Sequence, residues 1–208
     1  MNLTLVNSNW SREVFRARYG VLARTVYPPV PVPAPGLPWE AREPGFVCIG
    51  RIAPVKELDR VLDIVGAVRR QVPAVRLHLV GTAEDAAYHR HVARRARAEG
   101  ATLYENLSRE ALGALLARQR YGIHGMRDEH FGMAPAEMVA AGCIVWVPDS
   151  GGQVEIVGDA RLTYGSVEEA VARILAVLRA PAEQGALREH LAAMATRFSA
   201  ERFVREIR

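Results

Sequence analysis

Along most of this chain, short apolar runs alternate with stretches in which apolar residues recur every three or four positions. The short runs are typical of buried strands, and the wider spacing is typical of helices that cover a sheet. The predicted strands are Leu3–Val6, Phe46–Ile49, Val75–Val80, Thr102–Tyr104, Tyr121–His124 and Cys143–Val147. The predicted helices are Ser11–Tyr19, Glu57–Gln71, Asp85–Ala98, Arg109–Arg118, Pro135–Ala141, Val167–Leu178 and Glu183–Phe198. This alternation predicts an α/β fold: a Rossmann-like parallel sheet of about six strands with helices on both faces.

A last short helix is predicted after Ser199, whose hydroxyl suits the N-cap position. Crossover connections of this length give right-handed βαβ units. Sheets of this kind bind their ligands in the crevice beyond the carboxyl ends of the strands. Polar residues that directly follow a predicted strand are therefore the first candidates for a functional site.

A proline-rich stretch interrupts the alternation between residues 28 and 44. It holds seven prolines: Pro28, Pro29, Pro31, Pro33, Pro35, Pro38 and Pro44. This density predicts a stiff, extended connector, and a ligand for a proline-recognition domain is the remote alternative. The predicted division is residues 1–44 (a leading strand, a helix and this connector), residues 45–198 (the main Rossmann-like domain) and residues 199–208 (the last helix).

The 208 residues carry a net charge of +4, and Lys56 is the only lysine among 27 basic residues. This modest positive charge favours anionic ligands or a phospholipid surface. One predicted helix concentrates basic side chains: His89, Arg90, His91, Arg94, Arg95 and Arg97. We interpret it as a solvated face, with an anionic-lipid patch as the alternative. The chain has no interleaved basic and aromatic pattern that would indicate a nucleic-acid partner.

The cysteines and the hydropathy indicate a cellular location. Cys48 and Cys143 both fall in apolar, strand-like runs, which predicts reduced, buried thiols in a cytosolic protein and no metal site. No apolar run approaches the roughly 18 residues that a membrane span needs, and no signal peptide is visible. We expect a cytoplasmic protein whose basic helix would suit peripheral membrane association.

The most informative stretch is residues 129–137, which read Glu-His-Phe-Gly-Met-Ala-Pro-Ala-Glu. Gly132 allows a tight turn, and Pro135 suits the first turn of a helix, where its missing N–H costs nothing. The free N–H groups at this helix start would face anions or polar oxygens. Glu129 precedes the helix and Glu137 lies in its first turns. The arrangement suits a ligand with both hydroxyls and phosphates, such as a sugar nucleotide.

Two further loops follow predicted strands. Gly50 opens the first loop, which carries Arg51 and Lys56. Arginine offers a planar fork for phosphate oxygens and lysine a compact charge, so this pair can neutralise a diphosphate without a divalent metal. In the second loop, Gly151 and Gly152 would let backbone N–H groups approach phosphate or sugar oxygens. A plain strand-to-helix turn is the alternative for this second loop.

Taken together, these motifs resemble the donor-binding half of the family 4 retaining glycosyltransferases. The resemblance is carried by Gly50-Arg51 with Lys56, by Glu129-x7-Glu137 with Phe131-Gly132, and by Gly151-Gly152 with Glu155. That family has the GT-B fold, in which two Rossmann-like domains face each other across a cleft. Residues 7–11, 26–29 and 124–132 look most similar to the GDP-mannose-dependent α-1,2-mannosyltransferases of asparagine-linked glycan assembly.

The resemblance implies roles for the charged residues. Arg51 and Lys56 would hold the donor diphosphate and stabilise the charge that grows on it as it leaves. Glu129 would contact hydroxyls of the transferred sugar. Glu137 would accept both hydroxyls of the nucleotide ribose, since a carboxylate has two oxygens. Such retaining enzymes are thought to need no dedicated protein nucleophile, and no metal or cofactor is expected beyond the GDP- or UDP-linked sugar itself.

The resemblance also implies roles for the backbone of the glutamate stretch. N–H groups around Phe131, Gly132 and Met133 would face the sugar and the phosphates, and His130 could touch the donor. Where the wider family often has a Pro-Ser pair before the first glutamate, this chain has residues 125–126, Gly-Met. This departure concerns sugar specificity more than the fold.

A complete member of that family has roughly twice this length. We therefore expect an isolated donor-binding domain, inactive alone, whose acceptor domain lies in the same or a separate chain. The helix after Ser199 would cross back to that absent domain. One alternative is a non-catalytic nucleotide-sugar sensor or partner subunit. Another is a different GT-B-like enzyme, such as a sugar-nucleotide epimerase or a phosphorylase.

Overall fold

The computed structural model describes residues 3–31 and 36–208, so that Pro33 and Pro35 lie outside it. The strands are β1 (Thr4–Val6), β2 (Ala23–Thr25), β3 (Glu43–Ile49), β4 (Arg76–Gly81), β5 (Thr102–Glu105), β6 (Gln119–Ile123), β7 (Ile144–Pro148) and β8 (Thr163–Tyr164). The helices are α1 (Asn9–Tyr19), α2 (Leu58–Gln71), α3 (Ala86–Ala98), α4 (Arg109–Arg118), α5 (Met133–Ala140), α6 (Val154–Val157), α7 (Val167–Leu178), α8 (Pro181–Ala195) and α9 (Ala200–Ile207). Six strands form one parallel sheet in the order β5-β4-β3-β6-β7-β8, which confirms the predicted α/β fold.

The strand order reverses between β3 and β6. The chain runs outward from β3 through β4 to β5, and then returns so that β6 pairs with β3 on the other side, at Phe46↔Tyr121 and Val47↔Gly122. A crevice opens beyond the carboxyl ends of neighbouring strands whose connections leave in opposite directions. The loops that follow β3 and β6 therefore flank the position where sheets of this kind bind ligands.

The main sheet has the predicted number of strands, but one predicted strand is replaced by another. The strand predicted at Leu3–Val6 pairs with β2 in a separate two-stranded parallel sheet, and β8 takes the sixth place in the main sheet. The elements β2, β8 and α6 were not predicted, because two to four residues are too few to show a periodic pattern. Ser199 caps α9 as predicted, since its hydroxyl accepts the N–H of Arg202 at 3.2 Å.

An aromatic cluster from three adjacent strands occupies the core. Phe46, Tyr121 and Trp146 are buried, and their ring centroids lie 5.0 to 5.9 Å apart. Rings at this separation add to the stabilisation that their buried area provides. Cys48 and Cys143 are free and buried, as predicted, and burial raises the pKa of each thiol to about 12. Both are therefore neutral thiols near pH 7.

The segment before β3 contributes to this core. Tyr27 and Val30 are buried, and the Tyr27 ring lies 6.1 Å from the ring of Phe131 and 5.3 Å from that of Phe198. The N–H of Val30 donates to the carbonyl of Phe198 at 2.9 Å. β3 itself begins at Glu43, within the predicted connector. These contacts tie the leading segment to the end of the main domain.

Glu155 fixes the start of α1. Its carboxylate oxygens accept the backbone N–H groups of Asn9 at 3.1 Å and of Trp10 at 2.8 Å, and the hydroxyl of Tyr27 at 2.6 Å. A carboxylate at a helix N-terminus also interacts favourably with the helix dipole. Glu155 thus has a structural role that joins the start of α1 to α6.

We expect Glu155→Ala to lower the free energy of unfolding by about 2 kcal/mol, because three buried or half-buried donors would lose a charged acceptor. Urea unfolding would measure the loss, and faster hydrogen exchange at the amides of Asn9 and Trp10 would localise it. The matched control is Glu189→Ala on the exposed surface of α8. Equal stability of the two variants would contradict this role of Glu155.

Candidate functional site

Three loops meet at the carboxyl edge where the strand order reverses: residues 50–57 after β3, residues 124–132 after β6 and residues 149–153 after β7. At their meeting point, Lys56 Nζ lies 2.7 Å from Glu129 Oε2. The two side chains are largely buried, with exposed fractions of 14% and 20%. Met126 Sδ also lies 3.1 Å from the ammonium. The basic and acidic candidates of the sequence are therefore at the same edge of the sheet.

The electrostatics of this pair hold Glu129 ionised. The imidazole of His124 and the ammonium of Lys56 lower the pKa of Glu129 to about 2, although burial opposes the shift. Of the two groups Lys56 is the closer, at 2.7 Å against 3.5 Å, and it carries a full charge. Burial lowers the pKa of His124, which is therefore neutral near pH 7. Glu129 is accordingly a permanent hydrogen-bond acceptor in this site.

Gly125 allows the two loops to come this close. A Cβ atom at position 125 would lie 2.8 Å from the carbonyl oxygens of both Lys56 and Glu57. Because these are backbone atoms, a larger residue would push the loop that carries Glu129 away from Lys56. Gly125 thus has a packing role.

The glycine pair after β7 packs against the loop that carries Glu129. Gly151 has a φ of +80°, and a Cβ there would clash with the backbone of Glu129. At Gly152 a Cβ would clash with the carbonyl of His130 and the side chain of Ser8. The N–H of Gly152 was predicted to approach a ligand oxygen. In the structure this N–H donates to the Glu129 carbonyl at 2.8 Å.

The glycine turn and the start of α5 lie at the same edge. Gly132 has a φ of +104°, which glycine adopts readily, and α5 begins at Met133, two residues before the predicted start. The first turn of a helix has N–H groups without intrahelical partners, as the predicted role requires. The Phe131 side chain, in contrast, is buried against Tyr27 and Phe198. The Phe131 ring therefore anchors the loop in the core, and only the backbone of Phe131 is left to contact a ligand.

His130 links the loop to α1. Its ring stacks on Trp10 with a centroid distance of 5.8 Å and an interplanar angle of 26°. Its carbonyl accepts the hydroxyls of Ser8 at 2.5 Å and of Ser11 at 3.3 Å. The side chain is exposed, so the predicted contact with a donor stays compatible with its position.

Arg51 extends from the same loop as Lys56 but has another partner. Its guanidinium lies 2.6 Å from Glu84, and both side chains are at least half exposed, at 59% and 50%. Gly50 donates its N–H to the carbonyl of Val80 and packs beside the aliphatic part of Lys56. Gly50 is therefore part of the sheet end that directs Lys56, and its N–H is already satisfied.

Glu137 also has a partner that the sequence did not suggest. Arg109, at the start of α4, lies 2.8 Å from its carboxylate and is 72% exposed, whereas Glu137 is 17% exposed. This contact raises the pKa of Arg109. Glu84 and Arg109 follow β4 and β5, so the rule that parallel strands end at one edge could have identified both as candidates.

Two histidines of the main sheet have an environment that the sequence did not indicate. His78 and His124 are largely buried on or next to strands, but their ring nitrogens have no hydrogen-bond partner among the described residues. His124 is nevertheless close to Glu129, with its Nε2 3.5 Å from Oε2. Its strand-end position was predicted correctly, and its neighbour was not.

The basic helix α3 is partly neutralised by acidic neighbours. His91 and Arg95 contact Asp59 at 2.7 and 2.9 Å, and His89 lies 3.0 Å from Glu105. Its remaining exposed arginines are Arg90, Arg94 and Arg97. Within residues 3–31 and 36–208, no helix is long and apolar enough to span a bilayer.

The edge as a whole suits a ligand with anionic and hydroxyl groups. Arg51 and Lys56 can bind phosphate oxygens, while Glu129 and Glu137 can accept hydroxyl protons. Three of these side chains are on the loops after β3 and β6, and Glu137 is on α5, which follows the second of these loops. In the part of the chain that the structure describes, no group of three or more His, Cys, Asp or Glu could hold a metal ion.

Comparison with known proteins agrees with this geometry. The model of the family "Glycosyl transferases group 1" matches residues 35–197. The chain is 28% identical over 176 residues to a GDP-Man:Man(3)GlcNAc(2)-PP-Dol alpha-1,2-mannosyltransferase of Dictyostelium discoideum. That match covers 74% of this chain and 35% of the relative. The chain thus spans about a third of the length of this curated relative.

Two solved structures illustrate the similarity of the fold. The Anabaena protein HepE, in complex with UDP-glucose, has a TM-score of 0.84 at 17% identity, over 99% of this chain and 62% of that one. The pneumococcal O-GlcNAc transferase GtfA, in complex with UDP and GlcNAc, has a TM-score of 0.78 at 16% identity, over 98% of this chain and 43% of that one. At such identities the similarity establishes the fold, which is that of one half of a GT-B glycosyltransferase.

The Lys56–Glu129 pair predicts a specific pH dependence of stability. The pKa of Glu129 is about 2 in the folded protein, below the value of about 4.3 for an unfolded chain. Folding therefore favours its ionised form, and this contribution is present above about pH 4.5 and is lost as the pH falls towards 2. Between about pH 5 and 2.5, we expect Glu129→Gln to lose less stability than the unaltered protein, by on the order of 2 kcal/mol.

Urea unfolding at a series of pH values would measure this difference. The matched control is Glu110→Gln, which removes an exposed carboxylate in the first turn of α4. If Glu129→Gln and Glu110→Gln had the same pH dependence, the ion pair with Lys56 would not contribute as described.

Proposed function

The chain belongs to the group 1 glycosyl transferases, and we propose that it is the nucleotide-sugar-binding half of a retaining member of that family. The proposed reaction moves a hexose from a nucleotide diphosphate sugar to an acceptor hydroxyl. The observation that carries the proposal is the convergence of Lys56 and Glu129, 2.7 Å apart, at the reversal of strand order, with Arg51 on the same loop as Lys56 and Glu137 on α5.

The donor diphosphate is assigned to Arg51 and Lys56. The Lys56 ammonium has three N–H donors, of which one is directed at Glu129 and one at Met126 Sδ, so that the third can reach a phosphate oxygen. Arg51 is mostly exposed and can turn from Glu84 towards a phosphate, because a surface ion pair is worth only about 0–1 kcal/mol. Positive groups fixed beside the diphosphate would stabilise the charge that develops as the glycosidic bond breaks. The acceptor hydroxyl would approach on the face that the diphosphate leaves.

The hydroxyl groups of the donor are assigned to the two carboxylates. Glu129, held ionised by its neighbours, would accept from the sugar, and Glu137 from the ribose. Arg109 approaches one carboxylate oxygen of Glu137, at 2.8 Å, so the ribose would share this carboxylate with Arg109 or displace it. Displacement is cheap, since Arg109 is 72% exposed.

Mannose linked to GDP is the first candidate for the donor. The support is the curated relative, whose name includes GDP-Man as its donor, and the similarity of residues 124–132 to that subgroup. A UDP-linked hexose is the second candidate, since HepE binds UDP-glucose.

A second domain that binds the acceptor is the proposed partner, in the same or a separate chain. The support is an apolar groove of about 440 Å³ between α1, β1 and α9, next to His130. Large apolar side chains line it with substantial exposure, among them Leu5 at 44%, Phe15 at 39% and Ile207 at 50%. Contiguous exposed apolar surface of this kind marks an interaction site. We expect no sugar transfer by this chain without that domain.

Peripheral membrane association through the exposed arginines of α3 is also part of the proposal. Arg90, Arg94 and Arg97 present a positive surface that would attract anionic lipid. The cytoplasm remains the proposed location.

Calorimetric titration of this chain with GDP, UDP, GDP-mannose and UDP-glucose tests the proposed function. We expect at least one of the four to bind, and Glu137→Ala and Arg51→Ala to weaken its binding by about 10- to 100-fold. The reason is that a hydrogen bond to a charged group is worth about 1.5–3 kcal/mol.

The matched controls lie away from the site. They are Arg76→Ala, at the amino end of β4, and Glu189→Ala on α8, and both should bind the ligand as the unaltered chain does. The absence of binding for all four ligands would rule out the proposed function.

A further inference from the structure

The backbone of His124 is held in place next to Glu129, at the end of β6. His124 follows β6 directly and is 2% exposed. Its N–H donates to the carbonyl of Trp146 at 2.9 Å, and its own carbonyl accepts the hydroxyl of the buried Tyr164. Residues of β7 and β8 therefore fix the backbone from which the imidazole projects, so that the ring has little freedom.

The imidazole of His124 has no hydrogen-bond partner in the part of the chain that the structure describes, and Glu129 is the acidic group close to it. Neither ring nitrogen has a hydrogen-bond partner among the described residues, and burying an unpaired polar group is costly. The carboxylate oxygen Oε2 of Glu129 lies 3.5 Å from Nε2, at the outer limit of a hydrogen bond. A closure of about half an ångström would give Nε2 a normal hydrogen bond to Oε2.

Both groups that approach Glu129 approach the same oxygen. Lys56 Nζ and His124 Nε2 converge on Oε2, at 2.7 and 3.5 Å. No side chain in residues 3–31 and 36–208 donates a hydrogen bond to the other oxygen, Oε1. One oxygen is thus engaged by the protein, and the other stays available to a ligand.

We infer that His124 is a positioning residue, which donates its Nε2–H to Glu129 Oε2 and, together with Lys56, presents Oε1 to a hydroxyl of the donor sugar. This inference rests on the proposed function for the identity of the ligand, but the contact between His124 and Glu129 can be tested without it. A neutral imidazole suits the task because it fixes the carboxylate without adding a second positive charge that would compete with Lys56.

The first test is the tautomer of His124 in the ligand-free chain. Long-range ¹H–¹⁵N correlation spectra of the ¹⁵N-histidine-labelled protein distinguish the two neutral tautomers and the protonated ring, and His124→Gln assigns the signal. We expect the Nε2–H tautomer at pH 7, and a change in its shifts in Glu129→Gln. An Nδ1–H tautomer or a protonated ring would overturn the inference, because neither leaves a neutral Nε2 donor directed at Glu129.

The second test separates the sugar from the nucleotide. For whichever of GDP-mannose and UDP-glucose binds, calorimetry compares its Kd with that of the matching nucleotide diphosphate. We expect His124→Phe to weaken the sugar nucleotide about tenfold and the nucleotide diphosphate by less than about twofold. His124→Gln should retain most of the affinity, because its amide nitrogen can take the place of Nε2.

The control is His78→Phe, which alters another largely buried histidine, on β4, without contact to Glu129. This variant shows the effect of a general loss of packing, which should change the Kd of the sugar nucleotide and that of the nucleotide diphosphate by the same factor. Equal weakening of sugar nucleotide and nucleotide diphosphate in His124→Phe would overturn the inference. If neither ligand binds the unaltered chain, the proposed function fails, and the tautomer measurement still decides the contact with Glu129.

Discussion

The ion pair between Lys56 and Glu129 is the contact on which the site depends. It joins the loop after β3 to the loop after β6, across the reversal of strand order, at 2.7 Å. The pair is largely buried, so that its attraction is little screened by water, and it keeps Glu129 ionised. Gly125 makes the close approach feasible, since any side chain there would meet the backbone of Lys56 and Glu57.

The other charged residues at this edge of the sheet also form ion pairs. Arg51 contacts Glu84, and Arg109 contacts Glu137. These two pairs contain a mostly exposed arginine each and contribute little to stability, whereas the central pair is protected from solvent. A ligand with phosphates and hydroxyls could exchange the outer contacts at small cost while the central pair keeps its geometry, which is the behaviour expected of a preorganised site.

Residues 3–31, which precede the main domain, pack against the loop that carries Glu129. Glu155 holds the start of α1, α1 holds the carbonyl of His130 through two serines, and Phe131 packs between Tyr27 and Phe198. The loop that carries Glu129 thus rests on Ser8, Ser11 and Tyr27, which are more than 100 positions distant from their partners in the sequence. Gly152 and Glu155 take part in the same support, because the Gly152 N–H and the Glu155 carboxylate are engaged within the protein.

The sequence by itself determined the fold class, most elements and the edge at which Lys56, Glu129 and Glu137 lie, because periodic patterns and glycine turns are local properties. It did not determine the partners of these residues. Glu84 and Arg109 are separated in sequence from Arg51 and Glu137, and His124 came with no local sign that its ring faces Glu129. Only the tertiary structure decided these contacts, because they depend on which strands become neighbours, and strand order follows from the packing of the whole sheet.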